Sequence, residues 1–443
     1  MFNLAKTFTA GLALVGLATS TPVSLDKRLP GRVVRAGDPV VIDPTGNYIR
    51  VSFMNDGSLI GGYAAKEGTT SILRVVRSTD GAQSWQRIGE VFRGERATHD
   101  IDNAMPIQLP SGRILYAYRN HDRTGADWHY TYFRISVSYS DDGGATFKYL
   151  STVEEHVPNG VNGLWEPYLR LARDGTLQCY YSAENSADDQ DNFMKYSKDG
   201  GQTWSAWVPV SGGDRLSRDG MVGVAPIGNE GDLIAVFEHT REGRFNVDYV
   251  LSHDDGYTWG ERGSLYTARN GRMSGAPQVY NVWGTLVASF MTNEDVEGAD
   301  GYNFGEMKVI TSVDHGKTWS GSVVTGPAQA HWPGLFNRDP THFLALYSRE
   351  GVGAVSQFCP RERIELELGR VEMGQAVGQL HLVLPVDNWS TGRWELGLAI
   401  LIHSVFVDNL PLVPARLWKI RVIVGAYGRT RTGPSEARNL FAR

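Results

Sequence analysis

The sequence is short of cysteine. Two residues, Cys179 and Cys359, in a chain of 443 leave no disulfide framework, so stability has to come from a large buried core. Long apolar runs are also missing. "TAGLALVGLAT" (9–19) and "LGLAILIHSVFV" (396–407) are both too short to span a bilayer, so no membrane partner is expected. A formal charge of −6 offers no basic surplus for nucleic acid. Neither a Gly-x-Ser-x-Gly nucleophile elbow nor a Cys-x-x-Cys pair occurs. His121 and His129, in "RNHDRTGADWHYTYF", lack metal-ligand spacing and read as surface or loop histidines. Gly316-Lys317-Thr318 ends like a phosphate-binding loop, but Thr311 stands where that loop needs its first glycine.

Glycine (51) and aromatics (Trp 12, Tyr 19, Phe 16) are plentiful, a mixture that suits short strands and many turns. The turns repeat. "STDGAQSW" (78–85), "SDDGGATF" (140–147), "SKDGGQTW" (197–204), "SHDDGYTW" (252–259) and "SVDHGKTW" (312–319) share the pattern Ser-x-Asp-x-Gly-x-Thr-aromatic. The aspartate accepts backbone N–H groups within its turn, the glycine permits positive φ, and the aromatic ring packs inward. Lys317 therefore belongs to a structural turn and points to solvent. A second repeat, a turn followed by an apolar strand, recurs at "DGSLIGGY" (56–63), "SGRILYAY" (111–118), "DGTLQCYY" (174–181), "EGDLIAVF" (230–237) and "WGTLVASF" (283–290), with a degenerate sixth copy, "DPTHFLALY" (339–347). Six units of four antiparallel strands predict an all-β fold, a six-bladed β-propeller over residues 32–357. The sixth unit has no octet of its own; "RVVRAGDPVVI" (32–42) is expected to supply its outer strand and close the ring.

Strand parity puts both kinds of turn at one end of the ring and the functional positions at the other. Strand-one starts offer Arg50, Asp102 with Asn103, Glu166, Asp219, Ser274 and Trp332. Strand-two ends offer Ala64, Arg119, Ser182, Glu238, Met291 and Ser348. Two glutamates stand out: Glu166 in "NGLWEPYLRL" and Glu238 in "LIAVFEHT". An acid among apolar neighbours keeps its proton to higher pH, and paired carboxylates on one face are the minimal equipment for glycoside hydrolysis. A lone glutamate there more often ends a strand in solvent or in an ion pair; two at matched positions favour chemistry. Arg50 and Arg119 either bind substrate and orient the carboxylates or form structural ion pairs. Asp102 and Asn103 either bind sugar hydroxyls or begin a strand. Trp165 either stacks on a sugar or belongs to the core, and Tyr347 either faces the pocket or packs between blades.

The octets resemble the Asp boxes of the sialidase superfamily. More specifically, "NGLWEPYLRLARDGTLQCYYSAEN" (162–185), "LIAVFEHT" (233–240) and "PGLFNRDPTHFLALYSREGVGAVSQ" (333–357) resemble fungal exo-1,5-α-L-arabinanases of glycoside hydrolase family 93. The resemblance covers residues 32 to 357. It implies a retaining exo-arabinanase that releases arabinobiose from the non-reducing end of linear arabinan, with Glu166 as acid/base and Glu238 as nucleophile, and no cofactor. A sialidase on the same fold is the alternative, but its Arg-Ile-Pro signature is replaced by "YIRVSF". A non-catalytic Asp-box binding propeller is the third.

The N-terminus (1–20) reads as a signal peptide, with Lys6 before an apolar run and small residues Ala18 and Ser20 near a cleavage point. Residues 21–31 read as a propeptide or linker. Secretion follows, and no partner chain is needed for such a ring, so a monomer is expected. Residues 358–443 carry none of the repeats and read as an anomalous extension or misread gene end.

Overall fold

The computed structural model describes residues 32–362, apart from positions 34, 36, 126–128, 161, 229, 242 and 300, and a few two-residue strands outside that span. Residues 32–362 form one compact unit. The expected signal peptide and linker, apart from Thr9–Ala10, and most of the tail lie outside the described residues. No helix among the described residues is long and apolar enough to cross a membrane.

Six four-stranded antiparallel sheets form a six-bladed propeller. Blade 1 runs Asn47–Phe53, Leu59–Glu67, Thr70–Ser78 and Gln86–Glu95; blade 2 begins at His99–Gln108, blade 3 at Leu164–Leu171, blade 4 at Gly220–Pro226, blade 5 at Ser274–Val282 and blade 6 at Ala330–Asp339. In blades 1 to 5 the strands follow one another from the inside outward. The second strand is buried on both faces; in blade 5, Thr285–Thr292 is buried throughout. Such strands read as continuous apolar runs with small gaps, and each large side chain so buried contributes roughly 1.5–3 kcal/mol. Cys179 and Cys359 are both buried thiols in this core.

The Asp boxes join strands three and four. In all five the serine hydroxyl donates to the aspartate at 2.7–2.9 Å and accepts the amide four residues on at 2.8–2.9 Å. The aspartate also takes the hydroxyl of the later Thr or Ser, as from Thr318 at 2.6 Å. The glycine of the pattern has φ between 84° and 96° in four copies, and Ala82 adopts 72° in the first, where a Cβ costs roughly 1–2 kcal/mol. Lys317 is exposed.

The ring closes as expected. Val40–Asp43 pairs antiparallel with Gly353–Glu362 and becomes the outer strand of blade 6. Arg32–Val33 adds a second short pairing, Arg32 opposite Glu362 and Val33 opposite Arg361. The last strand thus runs on past Gln357, where the sequence repeat fades, to Glu362. Asp43 locks the seam by accepting from Tyr63 Oη at 2.7 Å and Arg74 Nη1 at 3.0 Å, both on blade 1.

The end of the ring away from the turns has a feature that the repeats did not announce. Each innermost strand breaks register near this end, and at that break one non-glycine residue takes positive φ: Tyr48 (56°), Asn103 (58°), Glu166 (44°), Met221 (54°), Ala276 (50°) and Trp332 (55°). A bulge of this kind bends the strand and re-aims the side chain. Tyr48, Met221, Ala276, Met291, Trp332 and Tyr302 pack together although they come from four blades, which puts the bulges around the central axis.

Candidate active site

Opposite the residue preceding each bulge stands the end of strand two: Ala64, Arg119, Ser182, Glu238, Met291 and Ser348. Several reach across to the bulge amide of the next blade. Ser348 Oγ accepts from Tyr48 N–H (2.8 Å), Ser182 Oγ from Met221 N–H (3.2 Å), Glu238 Oε2 from Ala276 N–H (2.6 Å), and Met291 Sδ from Trp332 N–H (3.1 Å). Ala64 has no acceptor to offer, and Asn103 N–H bonds instead to Asp102 Oδ1 at 2.7 Å. Glu238 therefore occupies a clasp position that other blades fill with serine or methionine, and only its chemistry differs.

Glu166 is itself a bulge residue. Burial pushes its carboxyl up to about 8, and the nearby Glu238 carboxylate pushes the same way, against Arg119. That charge effect places Glu166 near Glu238 although they lie on blades 3 and 4. Burial also raises Glu238, but the Ala276 amide that donates to it and the neighbouring Tyr302 hydroxyl favour its ionised form. Gly275 makes room: a Cβ there would stand 2.6 Å from Glu238 Oε2 and 3.2 Å from Tyr302 Cζ.

The other expected residues divide. Arg119 lies beside the pair, bonded to Asp100 at 3.3 Å, 3.8 Å from Asp102, and 5.0 Å from the Trp165 ring. Burial raises Asp102, with Arg119 opposing. Asn103 is buried in the ring and its Oδ1 has no hydrogen-bond partner among the described residues. Trp165 is partly buried against His121, Tyr130 and Phe133 rather than standing free. Arg50 is buried under the ring, stacked on Tyr48 at 4.0 Å and donating to the carbonyls of Ile49 and Trp332, so it braces the pocket from below. Tyr347 packs in the apolar core against Gly326 of blade 5, away from the glutamates, as its strand position one residue before Ser348 requires.

The strand-one register needs correction in blades 1, 4 and 5. Tyr48, Met221 and Ala276 are the ring residues there, and Arg50, Asp219 and Ser274 are not. Asp219 is fully buried inside blade 4, held by Arg262 at 2.6 and 3.1 Å. His121 is also corrected. It is fully buried, donates from Nε2 to Leu164 O (2.9 Å) and accepts Arg134 N–H at Nδ1 (3.2 Å). Burial, with Arg119 adding to it, holds its titration down near 3 and keeps it neutral, so it is a core histidine that supports the Trp165 strand. His129 is exposed. Sequence reasoning passed over Tyr302 and Arg218. Both act electrostatically on Glu238, and Arg218 is bound to Glu184 at 2.5 Å.

A groove of about 280 Å3, lined by Asn47, His331, Ser348 and Glu350 among others, opens at this same end beside Tyr48 and Trp332. A second cavity of about 410 Å3 lies at the turn end, lined by blades 3, 4 and 5, where Arg170 is paired with Asp255 and neither catalytic candidate is among the lining residues.

Residues 61–219 match a BNR repeat-like domain. No curated protein matches the sequence. Among solved structures, an α-L-arabinanase of Penicillium chrysogenum complexed with arabinobiose is similar at 20% identity and TM-score 0.56, over 77% of this chain and 99% of that one. The GH93 α-L-arabinofuranosidase of Fusarium graminearum with arabinobiose aligns at 22% identity and TM-score 0.55, over 74% and 97%. The NanB sialidase of Streptococcus pneumoniae aligns at 10% identity and TM-score 0.51, over 80% and 71%. At these identities the likeness is one of fold.

Proposed function

We propose that the protein is a secreted retaining glycoside hydrolase that acts on linear α-1,5-L-arabinan from its non-reducing end and releases arabinobiose. The observation that carries this reading is the unequal pair: Glu166 held protonated to about 8, and Glu238 bonded by the Ala276 amide with the Tyr302 hydroxyl beside it. In the first step Glu166 gives its proton to the leaving glycosidic oxygen as that C–O bond breaks. The Glu238 carboxylate forms a bond to the anomeric carbon. In the second step Glu166, now ionised, takes a proton from water. The water oxygen bonds to the anomeric carbon, Glu238 leaves as carboxylate, and Glu166 regains its proton. Solved relatives of the same fold carry arabinobiose, and the groove beside Tyr48 and Trp332 gives a chain-like substrate somewhere to extend.

A neutral sugar suits this pocket better than a sialoside. Arg119 is committed to Asp100 and Arg218 to Glu184, and the Glu238 carboxylate would repel the carboxylate of a sialoside. The test is incubation of the purified protein with debranched arabinan and, separately, with a sialoside, followed by product sizing. Arabinobiose from arabinan alone is expected. Glu166→Ala should keep partial activity on an activated aryl arabinobioside and gain rate with added azide. Sialic acid release, or no turnover of either substrate, would end the proposal.

A further inference from the structure

The two glutamates are not equally furnished. Among the described residues no hydrogen-bond donor reaches the Glu166 carboxyl, whereas Glu238 receives the Ala276 amide at 2.6 Å and has the Tyr302 hydroxyl beside it. The amide is part of the ring clasp and has counterparts in other blades. The tyrosine has none. It sits in a short 3-10 turn, Tyr302–Phe304, on the loop between strands two and three of blade 5, and it flanks Gly275 together with the Glu238 carboxylate.

That loop is braced rather than loose. Lys308, buried to 2% exposure, bonds to the buried Glu294 at 2.7 Å. Arg269 ties down Asp295 at 2.8 Å, and Ala299 O accepts from Arg272 Nη1 (3.0 Å) and Asn293 Nδ2 (3.3 Å). The Tyr302 ring meets Phe245 edge-on at 5.3 Å. A donor fixed this way loses little freedom when it bonds a charge, so it favours the ionised carboxylate strongly.

We infer that Tyr302 is the positioning residue that makes Glu238 the ionised member of the pair and leaves the shared proton on Glu166. The inference rests on the roles given to the two glutamates above. Arg218 of blade 4 and Glu166 of blade 3 also face Glu238. Glu166 is faced by Arg119 and Asp102 of blade 2, Glu184 of blade 3 and Glu238. Among these groups Tyr302 is the neutral hydroxyl set beside Glu238, across Gly275 from its carboxylate. Its own hydroxyl stays protonated, since burial and then the charge of Glu238 raise it well above its ordinary value.

The test is Tyr302→Phe in the full chain, read by 13C NMR titration of glutamate carboxyls. Signals are assigned with Glu166→Gln and Glu238→Gln. In the native protein Glu238 should titrate below Glu166. In Tyr302→Phe the Glu238 midpoint should rise by about one pH unit, the amount that loss of one donor to a buried carboxylate typically moves it, and Glu166 should fall. In kinetics, the acid limb of kcat/KM should move up with it and kcat should fall about ten-fold near pH 5 while KM changes little. Unchanged carboxyl midpoints in a folded variant overturn the inference. If the NMR midpoints move but the native protein does not cleave arabinan, the proton assignment stands and the substrate reading falls.

Discussion

Glu166 carries a cost that depends on acidity. Its carboxyl titrates at about 8 in the folded chain against an ordinary 4.5. At low pH it is protonated in both folded and unfolded chains, and folding gains nothing from its ionisation. As pH rises from 4.5 to about 8 the unfolded chain ionises first, so folded stability declines through that window. Glu166→Gln removes the effect. The variant should be more stable than the native protein at pH 8 by on the order of 2 kcal/mol, allowing for solvent on the pocket side, and no more stable at pH 4. Urea unfolding at the two pH values checks this; an equal gain at both would show that packing, not ionisation, was responsible. The two acids stood out in the sequence because both hold repeat-defined positions, Glu238 directly after an apolar strand and Glu166 between Trp165 and Pro167 at the start of one. Tyr302 was not, since its loop has no counterpart in other blades and nothing in "GADGYNFGEM" marks a donor to a residue on blade 4.

At the scale of the strand, the clasp between blades explains why a glutamate can sit at position 238 without disturbing the ring. Ser182 and Ser348 make the same bond with a hydroxyl. Glu238→Ser should therefore keep the bond to Ala276 N–H and melt close to the native protein. Glu238→Ala should leave that buried amide unpaired and lose roughly 1–3 kcal/mol. Both should lose turnover almost completely. A scan of Tm beside an arabinan assay separates the two roles; equal Tm for Ser and Ala would mean that the clasp contributes nothing. The strands, turns and blade count could be read from the repeats, because glycine, aspartate and an inward aromatic each serve one local purpose. The bulges could not, because positive φ on non-glycine residues has no residue signature: Tyr, Asn, Glu, Met, Ala and Trp all adopt it here. Yet in blades 1 to 3 the bulge residues Tyr48, Asn103 and Glu166 stand at the same distance before Gly57, Gly112 and Gly175. Counting back from the turn would have found Tyr48 in place of Arg50.

For the whole molecule, the seam decides whether six blades behave as one. Asp43 joins the outer strand of blade 6 to Tyr63 and to the buried Arg74 of blade 1. Asp43→Ala would leave Arg74 only Glu67, which is half exposed. Removing one partner of a buried pair costs about 3 kcal/mol, and here the loss should appear as a lower urea midpoint with turnover intact in the folded protein. A midpoint unchanged from native would mean that strand pairing alone holds the ring. Segment 32–42 was legible as the closing strand because the sixth unit lacked its octet and a ring tolerates no open edge.

Arg32 and Glu362 face each other across that pairing. A short artificial linker between them would turn the non-covalent join into an ordinary hairpin, and new termini could then be opened between two blades, at an exposed residue such as Ala97, between Glu95 and His99. In such a permuted chain all of blade 6 would be contiguous in sequence. The last blade would no longer wait for the first segment made to meet the last, and assembly would proceed blade by blade.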